Sequence, residues 1–182
     1  LESALSREGS FLFNNWAFMV ILAIVFWGTL FPKISTWLTG EEVLLGPGFF
    51  NRLALVPALF LLFLTGVGPL IAWRRASWAS LRRQFRWPAA AGLATLAALL
   101  VFFRGRISPF PLATWSLGAF VLGTVVQEYA RAIRVRTRGG RESALTAFAT
   151  LLRRNQRRYG GYIVHVGVVC VLIGIGGAAF NE

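Results

Sequence analysis

The chain has 182 residues, of which 56% are hydrophobic and 14% aromatic, with a mean hydropathy of +0.62 and a formal net charge of +12. That is too apolar for a soluble domain of this length. The charge lies in blocks between apolar runs, which points away from a nucleic-acid-binding surface and toward a polytopic membrane protein with basic loops on one side.

The segment from Ala4 to Phe13 reads as the beginning of a helix and not as a cleavable signal. With Leu at position 1, the expectation is part of a larger chain or a naturally split piece. A bilayer-crossing helix needs about 20 residues. Five stretches meet or approach that length, near 11–32, 51–73, 87–103, 109–129 and 161–180, so the predicted fold is all-α, a membrane-embedded bundle of about five helices forming a single domain.

The loop after the first span carries Trp37, Glu41, Glu42 and the triplet Gly46-Pro47-Gly48, an interfacial anchor followed by a turn. Asn51 and Arg52 then open the second span. Arg74, Arg75, Arg82, Arg83 and Arg86 fill the loop 74–86, flanked by Trp73, Trp78 and Trp87. Gln127 and Glu128 end the fourth span, and Glu128 is expected to pair with Arg131 or Arg157. The loop 130–160 holds nine arginines and a predicted short helix from Ser143 to about Gln156, with Ser143 as N-cap. Leu145, Phe148, Leu151 and Leu152 share one face of that helix, as in an amphipathic segment lying on a membrane surface.

Fifteen of the nineteen basic residues fall on one side of this arrangement; Lys33, Arg52, Arg104 and Arg106 fall on the other. The positive-inside rule then predicts a cytoplasmic N-terminus and a C-terminus on the periplasmic or external side.

The one histidine, His165, lies inside the last apolar run, four residues after Gly161 and therefore on nearly the same helix face. An imidazole placed in hydrocarbon is costly and needs a partner. The open readings are a ligand to a metal, above all a haem iron, with Gly160 and Gly161 leaving room for a flat macrocycle, or a neutral histidine that is hydrogen-bonded to a neighbouring helix or snorkels to the interface. A low-spin haem needs two axial ligands. With no second histidine and only Met19 as a distant candidate in the first span, the other ligand is expected from sequence outside this chain. Gly167, Cys170, Gly174 and Gly177 form a stripe of small residues on the same helix, expected to pack against a neighbour. Cys170, the one cysteine, excludes an internal disulfide framework or a thiolate cluster. Arg52 is read as a partner for a lipid phosphate, a substrate carboxylate or a haem propionate. No span carries a mid-membrane carboxylate of the kind ion transport uses.

Several stretches, in this order, carry a family resemblance: Ser6-Arg7-Glu8 with Phe11-Leu12 and Asn14-Asn15, then Gly28-Thr29-Leu30-Phe31-Pro32, Gly46-Pro47-Gly48-Phe49-Phe50-Asn51-Arg52, Gly66-Val67-Gly68-Pro69-Leu70, and Arg157-Arg158-Tyr159-Gly160-Gly161-Tyr162-Ile163-Val164-His165. Over almost its whole length the chain resembles the CcmF/NrfE family of cytochrome c biogenesis proteins. The resemblance implies a bacterial inner-membrane haem lyase component that joins haem to the paired cysteines of apocytochrome c. It implies as partners the haem chaperone CcmE, a CcmH-type thioredoxin-like subunit and the rest of the CcmF protein with its second histidine ligand. It also implies that His165 is an axial ligand of a membrane haem b that passes electrons, from quinol, to reduce the delivered haem. The family's tryptophan-rich external segment, its external histidines and its other transmembrane histidine have no counterpart here, so the chain alone is expected to be inactive. The alternative is a quinol-oxidising, cytochrome b-like subunit with no ligase role.

Overall fold

The structure, a computed structural model, describes residues 7–71, 78–138, 140 and 142–178. Among the described residues there are six α-helices and one 3-10 turn: α1 (Arg7–Thr39), α2 (Pro47–Val67) running into the turn Gly68–Leu70, α3 (Trp78–Phe102), α4 (Pro109–Thr137), α5 (Ala144–Arg154) and α6 (Gln156–Ala178). Five of them, all but α5, are long and apolar enough to cross a membrane. This is the all-α, multi-pass bundle that composition demands: in hydrocarbon every backbone N–H and C=O must be satisfied within its own helix.

The helix boundaries follow local chemistry. Gly46 caps α2 with Pro47 in its first turn, where a missing N–H costs nothing. Gly40, at φ +79°, terminates α1 through its N–H to the Thr36 carbonyl at 3.0 Å. Ser143 caps α5, its hydroxyl accepting from the Thr146 N–H at 3.2 Å.

The helices run past the spans read from hydropathy at most ends. α3 begins at Trp78, so part of the expected loop 74–86 is already helix, while residues 72–77 lie outside the described segments. The expected loop 130–160 is mostly helical as well, comprising the end of α4, all of α5 and the first turn of α6. Hydropathy stops where arginines start, but a helix does not, because arginines are good helix formers whose long stems carry the charge outward.

α4 is the centre of the bundle, packed against α2, α3, α5 and α6, while α1 packs against α2. The contacts are close because small residues line them. On the α3–α4 seam a Cβ at Gly123 would stand 3.1 Å from Pro88 Cα, and one at Gly92 3.0 Å from the Ser116 carbonyl oxygen. On the α4–α6 seam a Cβ at Gly118 would stand 3.1 Å from Ile173 Cδ1. The core runs along α4, with Leu62, Leu70, Phe120, Val121 and Val169 at its middle and Val125, Leu151, Tyr159 and Tyr162 toward the arginine-rich end.

One packing expectation is corrected. The stripe on α6 does not pack: a Cβ at Gly167 or Gly174 meets nothing within 4 Å, and Cys170 is exposed. The surroundings of Gly177 lie outside what the structure describes. The buried face of α6 is Tyr159, Tyr162, Val169 and Gly176, and the close approach comes from Gly118 of α4 instead. On α5 the buried positions are Ala147 and Leu151, whereas Leu145 is 81% exposed. The guanidinium of Arg136 grips Glu142 through two hydrogen bonds, at 2.9 and 2.7 Å, which tie the segment before α5 to the last turn of α4.

Candidate functional site

His165 lies on α6 nine residues from its start, which is about 13 Å along the axis at 1.5 Å per residue. It lines a cavity of about 440 Å³ shared by three elements. The first two turns of α1 supply Ser10, Phe11 and Asn14; the end of α2 and the 3-10 turn supply Leu64, Thr65, Gly68 and Pro69. α6 supplies Arg157, Arg158, Gly161, Tyr162 and His165. The volume lies within the range of about 300–1,000 Å³ usual for small-molecule and cofactor sites.

The imidazole is half-buried, and its Nδ1 is buried with no hydrogen-bond partner among the described residues. Its nearest ring neighbour is Tyr162, with centroids 6.4 Å apart at 53°. A buried, unmatched imidazole nitrogen in a membrane span is the kind of exception to hydrogen-bond satisfaction that calls for an explanation. Gly161 lies one turn earlier on the same wall, and a Cβ there would meet nothing within 4 Å. The absent side chain thus leaves open space beside the imidazole.

The mouth of the cavity is cationic and braced. Glu128 of α4, with 3% of its side chain exposed, accepts from Arg158 at 2.8 Å and from Arg131 at 2.9 Å. The expected pairing with Arg131 is present, and the second partner is Arg158, not Arg157. α6 turns Tyr159 and Tyr162 toward α4, and Arg158, four residues before Tyr162, follows that face and donates from its Nε to the Tyr162 hydroxyl at 3.3 Å. Tyr129 donates to the Tyr159 carbonyl at 2.7 Å, binding α4 to the first turn of α6. A second clasp joins α3 to α4, with Gln127 Nε2 donating to the Gln84 carbonyl at 2.8 Å.

Of the sequence-stated candidates, His165 and Gly161 meet in this cavity. Asn51 and Arg52 do not: both are exposed at the opposite end of α2, thirteen residues or about 20 Å from Leu64 and Thr65. Met19 is 59% exposed on α1 and does not line the cavity. Among the described residues no group of three His, Cys, Asp or Glu side chains could hold a metal ion. Sequence reasoning did not single out Thr65, Arg158 and Tyr162 as cavity residues. Arg158, Gly161, Tyr162 and His165 recur at intervals of three and four, so one helix face joins them; Thr65 had no such signal.

The fold and this site define a multi-pass helical membrane protein with an imidazole-bearing chamber at its arginine-rich end. The chain is a sequence relative of the CcmF/CycK cytochrome c-type biogenesis proteins. It is 32% identical to the CycK protein of Rhizobium meliloti over 93% of this chain and 24% of that protein. It is 32% identical to CycK of Bradyrhizobium diazoefficiens over 96% of this chain and 26% of the relative, and 26% identical to CcmF of Haemophilus influenzae over 97% and 26%. The chain thus spans about a quarter of the length of the curated relatives it matches. No family model matches the chain. No solved structure matches it either.

Proposed function

We infer that this chain acts in cytochrome c maturation, as a membrane component of a haem lyase, and that His165 is an axial ligand of a haem b in the chamber between α1, α2 and α6. The observation that carries the reading is the placement of the chain's one histidine, inside a membrane span, on the lining of a cavity of about 440 Å³ with Gly161 and two arginines beside it. Names of relatives across nearly the whole chain support the pathway.

The residues present fit the group. His165 offers a neutral nitrogen donor of the type haem iron takes. Gly161 keeps the adjacent wall open, and Arg157 and Arg158 at the mouth are suited to carboxylates, Arg through its planar fork of donors. Glu128 holds Arg158 in position from α4, and Tyr162 holds it from within α6. When bound, haem b supplies a one-electron carrier within the membrane. The chain's own part would be to hold the iron through His165 and to orient the ring edge through Arg157 and Arg158. With His165 its one histidine, the second axial ligand must come from sequence or subunits beyond this chain. The arginine-rich end is assigned to the cytoplasmic side in this reading, by the excess of arginine there.

The test is the spectrum of the native complex carrying His165→Ala. The expected outcome is loss of the low-spin b-type bands and of pyridine-haemochrome signal, with the chain still present in the membrane. Full-intensity low-spin haem b in that variant would overturn the assignment. A variant that lost haem b while c-type cytochromes still matured normally would favour a cytochrome b-like electron-transfer subunit over a lyase component.

A further inference from the structure

A second and larger cavity lies at the same end of the bundle. It measures about 1,100 Å³ and sits between the last turn of α2, the residues just past the 3-10 turn and the first turns of α3. Its inner surface is hydrocarbon, from Phe63, Val67, Ile71 and Phe85. Its rim carries Arg82, Arg83 and Arg86, all exposed. Arg82 and Arg86 are one turn apart on a single helix face with Arg83 beside them.

Among the described arginines at this end, these three are the ones set around an apolar cavity. Glu128 takes Arg131 and Arg158, and Glu142 takes Arg136, but among the described residues no carboxylate pairs with Arg82, Arg83 or Arg86. Arg86 lies over the ring of Trp87, 5.0 Å from its centroid, a position characteristic of the membrane interface. An apolar chamber offers water few partners, and three uncompensated guanidinium groups above it call for an anion. One class of molecule answers both: an amphiphile with an acyl chain and a phosphate head.

We propose that this cavity is a binding site for an anionic phospholipid, with an acyl chain against Phe63, Val67 and Phe85 and the phosphate held by Arg82, Arg83 and Arg86. The site lies apart from the His165 chamber and does not depend on what that chamber binds.

The experiment measures lipid retention by native mass spectrometry. The protein is purified from its membrane with the chains that accompany it and exchanged into phosphatidylglycerol, phosphatidylethanolamine or water-soluble glycerophosphate. The parent is expected to retain phosphatidylglycerol selectively. The triple variant Arg82→Gln, Arg83→Gln, Arg86→Gln should lose at least about tenfold of that retention. The equally charged control Arg134→Gln, Arg138→Gln, Arg153→Gln should keep it. Ala79→Trp, which fills the cavity from an exposed position with every arginine in place, should also lose it. Equal retention of the two phospholipids, equal loss in the control, or no effect of Ala79→Trp would each overturn the proposal. Glycerophosphate binding as tightly as the whole lipid would overturn it too, making the rim a site for free phosphate esters.

Discussion

Gly66 is the narrowest point of the bundle, and the substitution Gly66→Ala measures how closely α2 must approach α4. A Cβ there would overlap Cε1 of Phe120, stand 2.7 Å from its Cδ1 and stand 3.2 Å from Val121 Cγ2. The Phe120 ring has little freedom to retreat. It is stacked on Phe63 with centroids 6.3 Å apart at 18°, and on Phe85 with centroids 6.1 Å apart at 26°. Overpacking of this kind costs about 1–3 kcal/mol, and a ring held on both sides belongs toward the upper end. Replacing glycine by alanine within a helix returns up to about 1 kcal/mol. The net expectation is a destabilisation of about 2 kcal/mol, or roughly 4–8 °C in the unfolding midpoint of a chain this size. Gly167→Ala is the matched control, because a Cβ at Gly167 meets nothing within 4 Å and the propensity gain stands alone. The assay is thermal unfolding in detergent, followed by helical circular dichroism on both variants side by side. Gly66→Ala unfolding at or above the parent temperature, or Gly167→Ala losing as much as Gly66→Ala, would refute the reasoning. The consequence reaches function, since Leu64 and Thr65 line the His165 chamber while Phe63 and Val67 line the other cavity.

Three further outcomes are expected. Gly161→Phe should fill the open space beside His165 and abolish the haem b spectrum while leaving the unfolding midpoint within a few degrees of the parent; retention of a normal spectrum would place the ring elsewhere. Glu128→Gln should loosen the first turn of α6, at a cost of about 1–3 kcal/mol tempered by the half-exposed guanidinium groups it serves, read as faster amide exchange at residues 156–162. The hydrogen bonds from Arg136 hold the Glu142 carboxyl below the usual glutamate range, so the folded form binds its proton less readily than the unfolded one. Its contribution is therefore complete above the unfolded value of about 4.3 and is lost as pH falls below that. Amide exchange at the start of α5 should rise below about pH 4 in the parent, and Glu142→Gln should show the fast exchange already at neutral pH.

Much of the architecture is written in one dimension. A helix in a bilayer satisfies its own backbone, so length and hydropathy suffice to locate five spans, and blocks of arginine suffice to separate the two ends of the bundle. The cap at Ser143 and the turn at Gly46-Pro47-Gly48 before α2 are local chemistry and were legible for the same reason. So was the singular position of His165, because an imidazole inside an apolar run stands out without any knowledge of its neighbours.

Contacts between helices depend on rotation about each axis and on which neighbours meet, and no apolar run encodes either in a membrane, where lipid is as apolar as a packing partner. The glycine stripe of α6 thus looked like a packing face, yet Gly118 of α4 makes the close approach and Gly167 and Gly174 face outward. Glu128 pairs with Arg131, one turn away and legible in the sequence, but its partner from α6 is Arg158, set by the packing of Tyr159 and Tyr162 against α4. Asn51 and Arg52 share a conspicuous motif but stand at the far end of α2 from His165, whereas Thr65, with no motif distinction of its own, lines the chamber. By itself the sequence determined a five-span helical membrane protein, its charged end and the place of its one histidine within the last span. Tertiary structure alone decided what surrounds that residue, because a chamber is made by elements distant in the chain and exists only once they pack.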